Sequence, residues 1–326
     1  MIPSPRAAPR RLYSVLAILA TVSIGGLTVA ALHHAMRDIS YRGLMDSLAT
    51  TRGTIIAAAL AATAVSFIVA LANDFLALRY ARAYSPIVST MLASFCGYAL
   101  GNFIGLTLLS GGAVRYRLYA AAGVSSVKIA RITLFIAAAF GIGAVTTIGL
   151  GLALRSREIA NLYGFPHQPL RLIAVLILAT TSALLVGCAL GRRNVRLGPV
   201  TIELPSLGLV LIQMAVTITD IVIASSVLWL LMPPSGIDFA AFVVIYTAAL
   251  SLGFLSHAPG GIGVFEAAML YAVATLSTPS AVLGALVAYR AIYFLLPFTI
   301  AALLLAAIEL RRLQRPPRTA PASNGD

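Results

Sequence analysis

Eight apolar runs limit what this chain can become. They lie at about residues 12–32, 54–72, 86–109, 129–152, 170–190, 206–232, 239–256 and 281–308. A helix of about 20 apolar residues covers the ~30 Å hydrocarbon core of a bilayer. Inside that core the backbone must satisfy its own N–H and C=O groups, and a helix does so within one segment. The fold class expected is therefore all-α, a polytopic integral membrane protein of about eight transmembrane helices. Composition agrees: 60% of residues are hydrophobic and 10% are charged, against about 25% charged in soluble domains. Residues 1–310 read as a single transmembrane domain. Residues 311–326, "RRLQRPPRTAPASNGD", read as a basic, disordered tail.

The N-terminal "MIPSPRAAPRR" precedes an apolar run longer than the core of a signal peptide, so an uncleaved first span is expected. Residues 33–53, with Arg37, Asp38, Arg42, Asp46 and Arg52, read as a short interfacial helix. Arginines at both termini favour the cytoplasm for both ends. The loops "RSRE" and "GRRNVR" flank one span on opposite sides and are both basic, so they do not sharpen the orientation.

The net charge is +13, carried almost wholly by arginine, with Lys128 the single lysine. These arginines sit at span ends, where anionic lipid headgroups meet them. No basic soluble domain is present to hold nucleic acid. Cys96 and Cys188 lie inside apolar runs and lack the spacing of a disulfide framework or metal site. The histidines show no metal-ligand spacing. No catalytic constellation, metal site or nucleotide loop emerges, so no catalytic residue and no cofactor is expected.

Two stretches do not fit plain spans. In "SHAPGGIGVFE", Pro259 disfavours helix at Ala258, and Gly260 and Gly261 admit backbone angles that other residues avoid. A helix is expected to restart near Ile262, with Glu266 in its first turn. Its free N–H groups and positive dipole end suit an anion. The stretch reads either as a half-helix aimed at a lipid headgroup or as a tight turn between two spans. In "SGGAVRYRLY", Gly111 and Gly112 are expected to open a helix carrying Arg115 and Arg117. Two guanidinium forks suit a phosphate; the plainer reading is two arginines reaching for headgroups.

The two stretches stand at matching places in the chain. Tyr98 precedes the first pair of glycines and a span with Arg131 follows; Tyr246 precedes the second and a span with Arg290 follows. Paired interruptions of this kind point to a transporter's site. Asp220 lies in the middle of the sixth run, on one helical face with Gln213 and Thr217. An ionisable group at that depth faces a cavity or a partner. Arg290, between Tyr289 and Tyr293, is its counterpart in the last run; a structural ion pair, with each other or with Glu266, is an open reading for both, and Asp220 is expected within reach of Arg290, Arg131 or a water-filled cavity.

"NDFLALRYARA", "GYALGNFIGLTLLSGGAVRYRLYAAAGVS", "LSHAPGGIGVFEAAML" and "AYRAIYFLLP" resemble the N-terminal membrane region of the bifunctional lysylphosphatidylglycerol synthetase/flippase family, the multiple peptide resistance factors. The resemblance covers residues 73–305. It implies a flippase-like translocator of an anionic or aminoacylated phospholipid, such as lysylphosphatidylglycerol, in a bacterial inner membrane. A synthetase domain has no room here, so lysyltransferase activity is not expected. The resemblance implies lipid-binding roles for Gly111, Gly112, Arg115, Arg117, Asp220, Gly260, Gly261, Glu266 and Arg290. The phosphate would meet the Gly111–Arg117 block, and a cationic aminoacyl group would meet Asp220 or Glu266. Membrane phospholipid is the expected partner, and a separate lipid synthetase is a candidate one. The alternative is a non-transporting membrane scaffold for such an enzyme.

Overall fold

The computed structural model describes residues 51–104, 107–190, 194–197, 200–256, 258–273 and 276–313. The expected first span, nearly all of the interfacial helix and the tail beyond Leu313 lie outside the described residues.

The long apolar runs form helices, as hydrocarbon requires. They are α1 (Gly53–Tyr80), α2 (Ile87–Ile104), α3 (Thr107–Ala121), α4 (Ser126–Tyr163), α5 (His167–Ala189), α6 (Leu207–Leu231), α7 (Phe239–Leu255), α8 (Val264–Val273), α9 (Pro279–Tyr289) and α10 (Leu296–Leu313). A 3-10 turn at Pro259–Gly261 precedes α8, and a π-helical turn at Arg290–Leu295 joins α9 to α10. Six described helices or continuous helical rods are long and apolar enough to cross a membrane. The run at 239–256 is the 17-residue α7. The protein is thus an all-α polytopic membrane protein. One small element was not foreseen: strands β1 (Asn194–Leu197) and β2 (Val200–Glu203) form an antiparallel hairpin between α5 and α6.

Helices α1 and α6 pack along each other and form the centre of the bundle with α2, α4, α7 and the α9–α10 rod. Small residues set these approaches, as is usual between membrane helices. On α4, Gly143 faces Thr217 of α6 and Gly151 faces Val244 of α7. Helix α5 packs mainly on α4 and buries only Ala174. Among the described residues, most of its other side chains are exposed or only partly covered.

The π turn has a local cause. Pro297 has no N–H to return to the Tyr293 carbonyl, and its ring crowds that carbonyl. Widening the helix over Arg290–Leu295 absorbs the mismatch. The turn lets Tyr289 and Tyr293 stack, with centroids 5.3 Å apart.

Both interrupted stretches differ from expectation, one of them completely. Gly111 and Gly112 do not open a helix: α3 begins at Thr107 and runs through them. They are packing residues, because a Cβ on Gly111 would stand 2.6 Å from the Gly97 carbonyl oxygen of α2. At the second stretch the break is real. Gly260, Gly261 and Gly263 have φ of +60°, +64° and +85°. Helix α8 restarts at Val264, two residues later than expected, and its 10 residues rise only about 15 Å.

Candidate functional site

The helices place three polar clusters inside an apolar bundle. On α1, Ser66, Asn73 and Asp74 lie on one face, at i, i+7 and i+8. Asp74 is fully buried and takes both Nε (2.9 Å) and Nη2 (3.0 Å) of Arg115 on α3. Tyr119, one turn along α3, donates to the same carboxylate at 2.8 Å. Asn73 accepts from Gln213 of α6 at 2.5 Å.

The second cluster surrounds Asp220 on α6. Ser66 Oγ donates to Oδ1 at 2.5 Å and Tyr98 OH donates to Oδ2 at 2.6 Å. Tyr293 OH lies 2.8 Å from Ser66 Oγ and 3.2 Å from Tyr98 OH. Among the described residues no arginine pairs with Asp220. The expected partners lie elsewhere: Arg290 is occupied and Arg131 is exposed. The cavity that was the other expectation is present. A chamber of about 560 Å³ lies between the helices, and its polar wall is Asn73, Tyr98, Asn102, Arg115, Thr217, Asp220, Tyr246 and Tyr293. Its apolar wall includes Ile136, Ala137, Phe140, Phe254 and the exposed Leu109. An unpaired carboxylate at the centre of a membrane helix costs about 2.5–3.5 kcal/mol on insertion scales. Two donated hydroxyls, from Ser66 and Tyr98, and the polar wall of the chamber offset that cost here.

The third cluster closes the break. Glu266 Oε2 accepts the Gly263 N–H at 2.6 Å, capping α8, and Oε1 accepts Arg290 Nε at 2.6 Å. Arg290 Nη1 donates to the Gly260 carbonyl at 2.6 Å, and its guanidinium lies over the Phe294 ring at 4.6 Å. Gly260 also packs against the end of α2, where a Cβ would stand 2.6 Å from the Phe103 carbonyl oxygen. The first turn of α8 is thus capped by the protein's own carboxylate.

The nine candidate residues therefore separate. Arg115 and Asp220 share the chamber. Gly260, Gly261, Glu266 and Arg290 form the clip at the break, with Gly260, Gly261 and Arg290 lining a small crevice that shares Asn102, Leu250, Phe254 and Phe294 with the chamber. Gly111 and Gly112 pack between helices. Arg117 is exposed and pairs with Glu309 of α10. The two arginines of "VRYR" thus face opposite ways, as their spacing predicts. Of the matched features, Tyr98 and Tyr246 both reach the chamber, whereas Arg131 and Arg290 do not correspond.

Sequence reasoning missed Asp74, Ser66 and Tyr119. The signal for Asp74 was present. Ending the second apolar run at residue 72 put Asn73 and Asp74 outside the span, but the Ser66–Asn73–Asp74 face continues into it. His257, which stands beside the break in the sequence and is a candidate hydrogen-bonding residue at the turn, lies outside the described residues. Among the described residues no group of His, Cys, Asp and Glu side chains forms a metal site.

The fold is that of a multi-pass inner-membrane protein whose helices line a largely apolar chamber with one polar wall. The chain belongs to the family of a Synechocystis sp. protein described as "Uncharacterized protein slr0712", to which it is 30% identical over 320 residues, 95% of each chain. It is also similar to "Inner membrane protein YbhN" of Escherichia coli, 27% identical over 247 residues, 75% of this chain and 77% of that one. No protein-family model matches the chain.

Proposed function

We propose that the protein is a lipid translocator, passing the headgroup of an anionic or aminoacylated phospholipid, such as lysylphosphatidylglycerol, through the chamber. The observation that carries this reading is Asp220, a buried carboxylate held by hydroxyls rather than by an arginine, on the wall of a 560 Å³ chamber. That volume falls in the usual range for small-molecule sites, about 300–1,000 Å³. The wall is polar on one part and apolar on another, which suits a headgroup attached to acyl chains. An ammonium on the headgroup would meet Asp220. The phosphate would meet Arg115, whose Nη1 is the guanidinium nitrogen not committed to Asp74. Glu266 and Arg290 are committed to each other, so in this reading they hold the wall in place.

The test is reconstitution in liposomes with phosphatidylglycerol and its lysyl ester, each labelled in one leaflet. An impermeant amine reagent or quencher reads appearance in the opposite leaflet. Protein-dependent movement of either lipid, reduced by Asp220→Asn, is expected. Movement no faster than in protein-free vesicles, for both lipids, refutes the reading.

A further inference from the structure

Carboxylates elsewhere in the described helices and caps have arginine partners. Asp74 pairs with Arg115, Glu158 and Asp238 with Arg155, Glu266 with Arg290, and Glu309 with Arg117. Asp220 differs, being held by neutral hydroxyls alone, and counting the hydrogens around it shows what it lacks.

The four groups form a closed ring: Asp220 Oδ1 to Ser66 Oγ at 2.5 Å, Ser66 Oγ to Tyr293 OH at 2.8 Å, Tyr293 OH to Tyr98 OH at 3.2 Å, and Tyr98 OH to Asp220 Oδ2 at 2.6 Å. Each hydroxyl supplies one hydrogen. With Asp220 ionised, the ring has four contacts and three hydrogens. Ser66 and Tyr98 donate to the carboxylate and Tyr293 donates to Ser66. The contact between Tyr293 and Tyr98 is left without a hydrogen, and it is the longest of the four. One added proton completes the set. Protonated Asp220 donates to Ser66, Ser66 to Tyr293, Tyr293 to Tyr98, and Tyr98 to the other carboxyl oxygen. All four bonds then run one way round, an arrangement in which each strengthens the next.

We propose that Asp220 is a proton-binding site whose occupancy closes this ring and couples proton movement to the transport cycle. The coupling rests on the translocator reading above. In the binding step a proton moves from water in the chamber to a carboxylate oxygen, an O–H bond forms, and the carboxylate loses its charge. Release returns the proton to water. The ring joins α1, α2, α6 and the π turn, so proton occupancy decides how firmly four wall elements are tied together.

The charged and titratable groups around Asp220 leave it the proton. From α2 and the π turn come Tyr98 and Tyr293, both in the ring. From α7 and α9 come Tyr246 and Tyr289, hydrogen-bonded to each other at 2.6 Å. From α3 comes Arg115, bound to Asp74 of α1. Arg290 is bound to Glu266. Among the described residues, helices α4 and α5 place no charged side chain on the chamber wall.

Two measurements test the proposal. Infrared difference spectra of the purified protein, titrated from neutral to acid, should show a carboxylic-acid C=O band that is lost in Asp220→Asn and displaced in Tyr98→Phe. Absence of such a band, or its persistence in Asp220→Asn, overturns the proton site whether or not lipid moves. In proteoliposomes carrying a pH gradient, wild-type translocation should respond to the gradient, by at most about tenfold per pH unit, the ratio of proton activities. Asp220→Asn, which imitates the protonated carboxyl with its own N–H, should be indifferent to the gradient. Wild-type translocation that ignores the gradient overturns the coupling. No translocation under any condition refutes the translocator reading instead and leaves the infrared titration to decide the proton site.

Discussion

The Asp74–Arg115 pair sets a sharp test of what holds the bundle together. Its side chains are 0% and 4% exposed, and the guanidinium binds the carboxylate through two nitrogens at 2.9 and 3.0 Å. Asp74→Asn keeps the shape and removes the charge, leaving Arg115 buried and uncompensated. Breaking a buried pair on one side costs about 3–5 kcal/mol, which is roughly two to four decades in an equilibrium constant. Replacing both partners with apolar residues of similar volume, Asp74→Leu with Arg115→Met, removes both desolvation penalties and should fall within about 1 kcal/mol of the wild type. Tyr119 would lose its acceptor in that double variant, so Tyr119→Phe is added to make a triple variant. Cys96 supplies the assay. It is free and fully buried on α2, next to the Gly97 that packs against Arg115. In a Cys188→Ser background, which removes the partly exposed second thiol, a thiol-reactive dye followed during a temperature ramp in detergent reports its exposure. A single variant Asp74→Asn that melts within experimental error of the wild type would refute the claim that the pair is a buried charge needing its partner.

Other outcomes follow from particular contacts. Gly111→Ala should destabilise by about 1–3 kcal/mol, because its Cβ would meet the Gly97 backbone, whereas Gly187→Ala on α5 has open space and should be neutral or slightly stabilising; the dye assay compares them directly. Arg290→Lys should loosen the break, since one ammonium cannot reproduce the fork that reaches both Glu266 and the Gly260 carbonyl; faster proteolysis within residues 256–263 would show it. Asp238, at the start of α7, is held below its usual carboxylate range by its hydrogen bonds from Arg155 and the Ala240 N–H. A depressed carboxylate contributes stability above the ordinary Asp value of about 3.9 and loses it as pH falls through the lower folded value. Fluorescence of Trp229, the chain's single tryptophan, which packs on Phe239 and Phe242, should thus stay constant from neutral to mildly acid pH and change only below that. In Asp238→Asn that acid-side change should diminish.

Much of the fold was legible because hydrocarbon allows a chain few solutions. Among the described residues, the apolar runs mapped onto helices with their ends within about five residues, except where polar residues prolonged a helix. Helix α1 runs eight residues past the run that marked it, and α4 continues through "RSRE" to Tyr163. Hydropathy ends a span at the first polar residue, but a helix ends where its packing does, and Asp74 was lost in that gap. The two Gly-Gly stretches looked alike for a related reason. A glycine pair marks either backbone that must turn or backbone that must approach, and composition does not separate them. Pro259 beside Gly260-Gly261 tipped that stretch towards a turn. No proline stands beside Gly111-Gly112, and there the glycines serve the approach of α3 to α2. The pairing of charges was not legible at all, because it depends on which helix faces start and finish next to one another.

That pairing changes what a broken helix in this protein means. A half-helix end with free N–H groups attracts an anion, which is why "APGGIGVFE" reads as a headgroup site. In the folded protein the anion is Glu266, three residues into α8, and Arg290 reaches across from the π turn to hold both that carboxylate and the Gly260 carbonyl. The break is thereby self-satisfied, and its consequence is geometric. Helix α8 has only 10 residues, about half the ~30 Å thickness of the hydrocarbon core, and its first turn packs against α7 through Phe265 and Tyr246. Tyr246, Leu250 and Phe254 of α7 line the chamber, and Arg290, the residue that fixes the break, stands one turn before Tyr293 of the hydrogen-bonded ring. The Arg290–Glu266 pair and the ring around Asp220 therefore share one π turn, through Arg290 and Tyr293, so displacement of Arg290 from Glu266 is expected to move Tyr293 with it. Two measurements that look unrelated should then change together: Glu266→Gln should displace the infrared carboxylic-acid band assigned to Asp220, although no bond joins the two residues. An unchanged band in Glu266→Gln would show that the clip and the ring act independently.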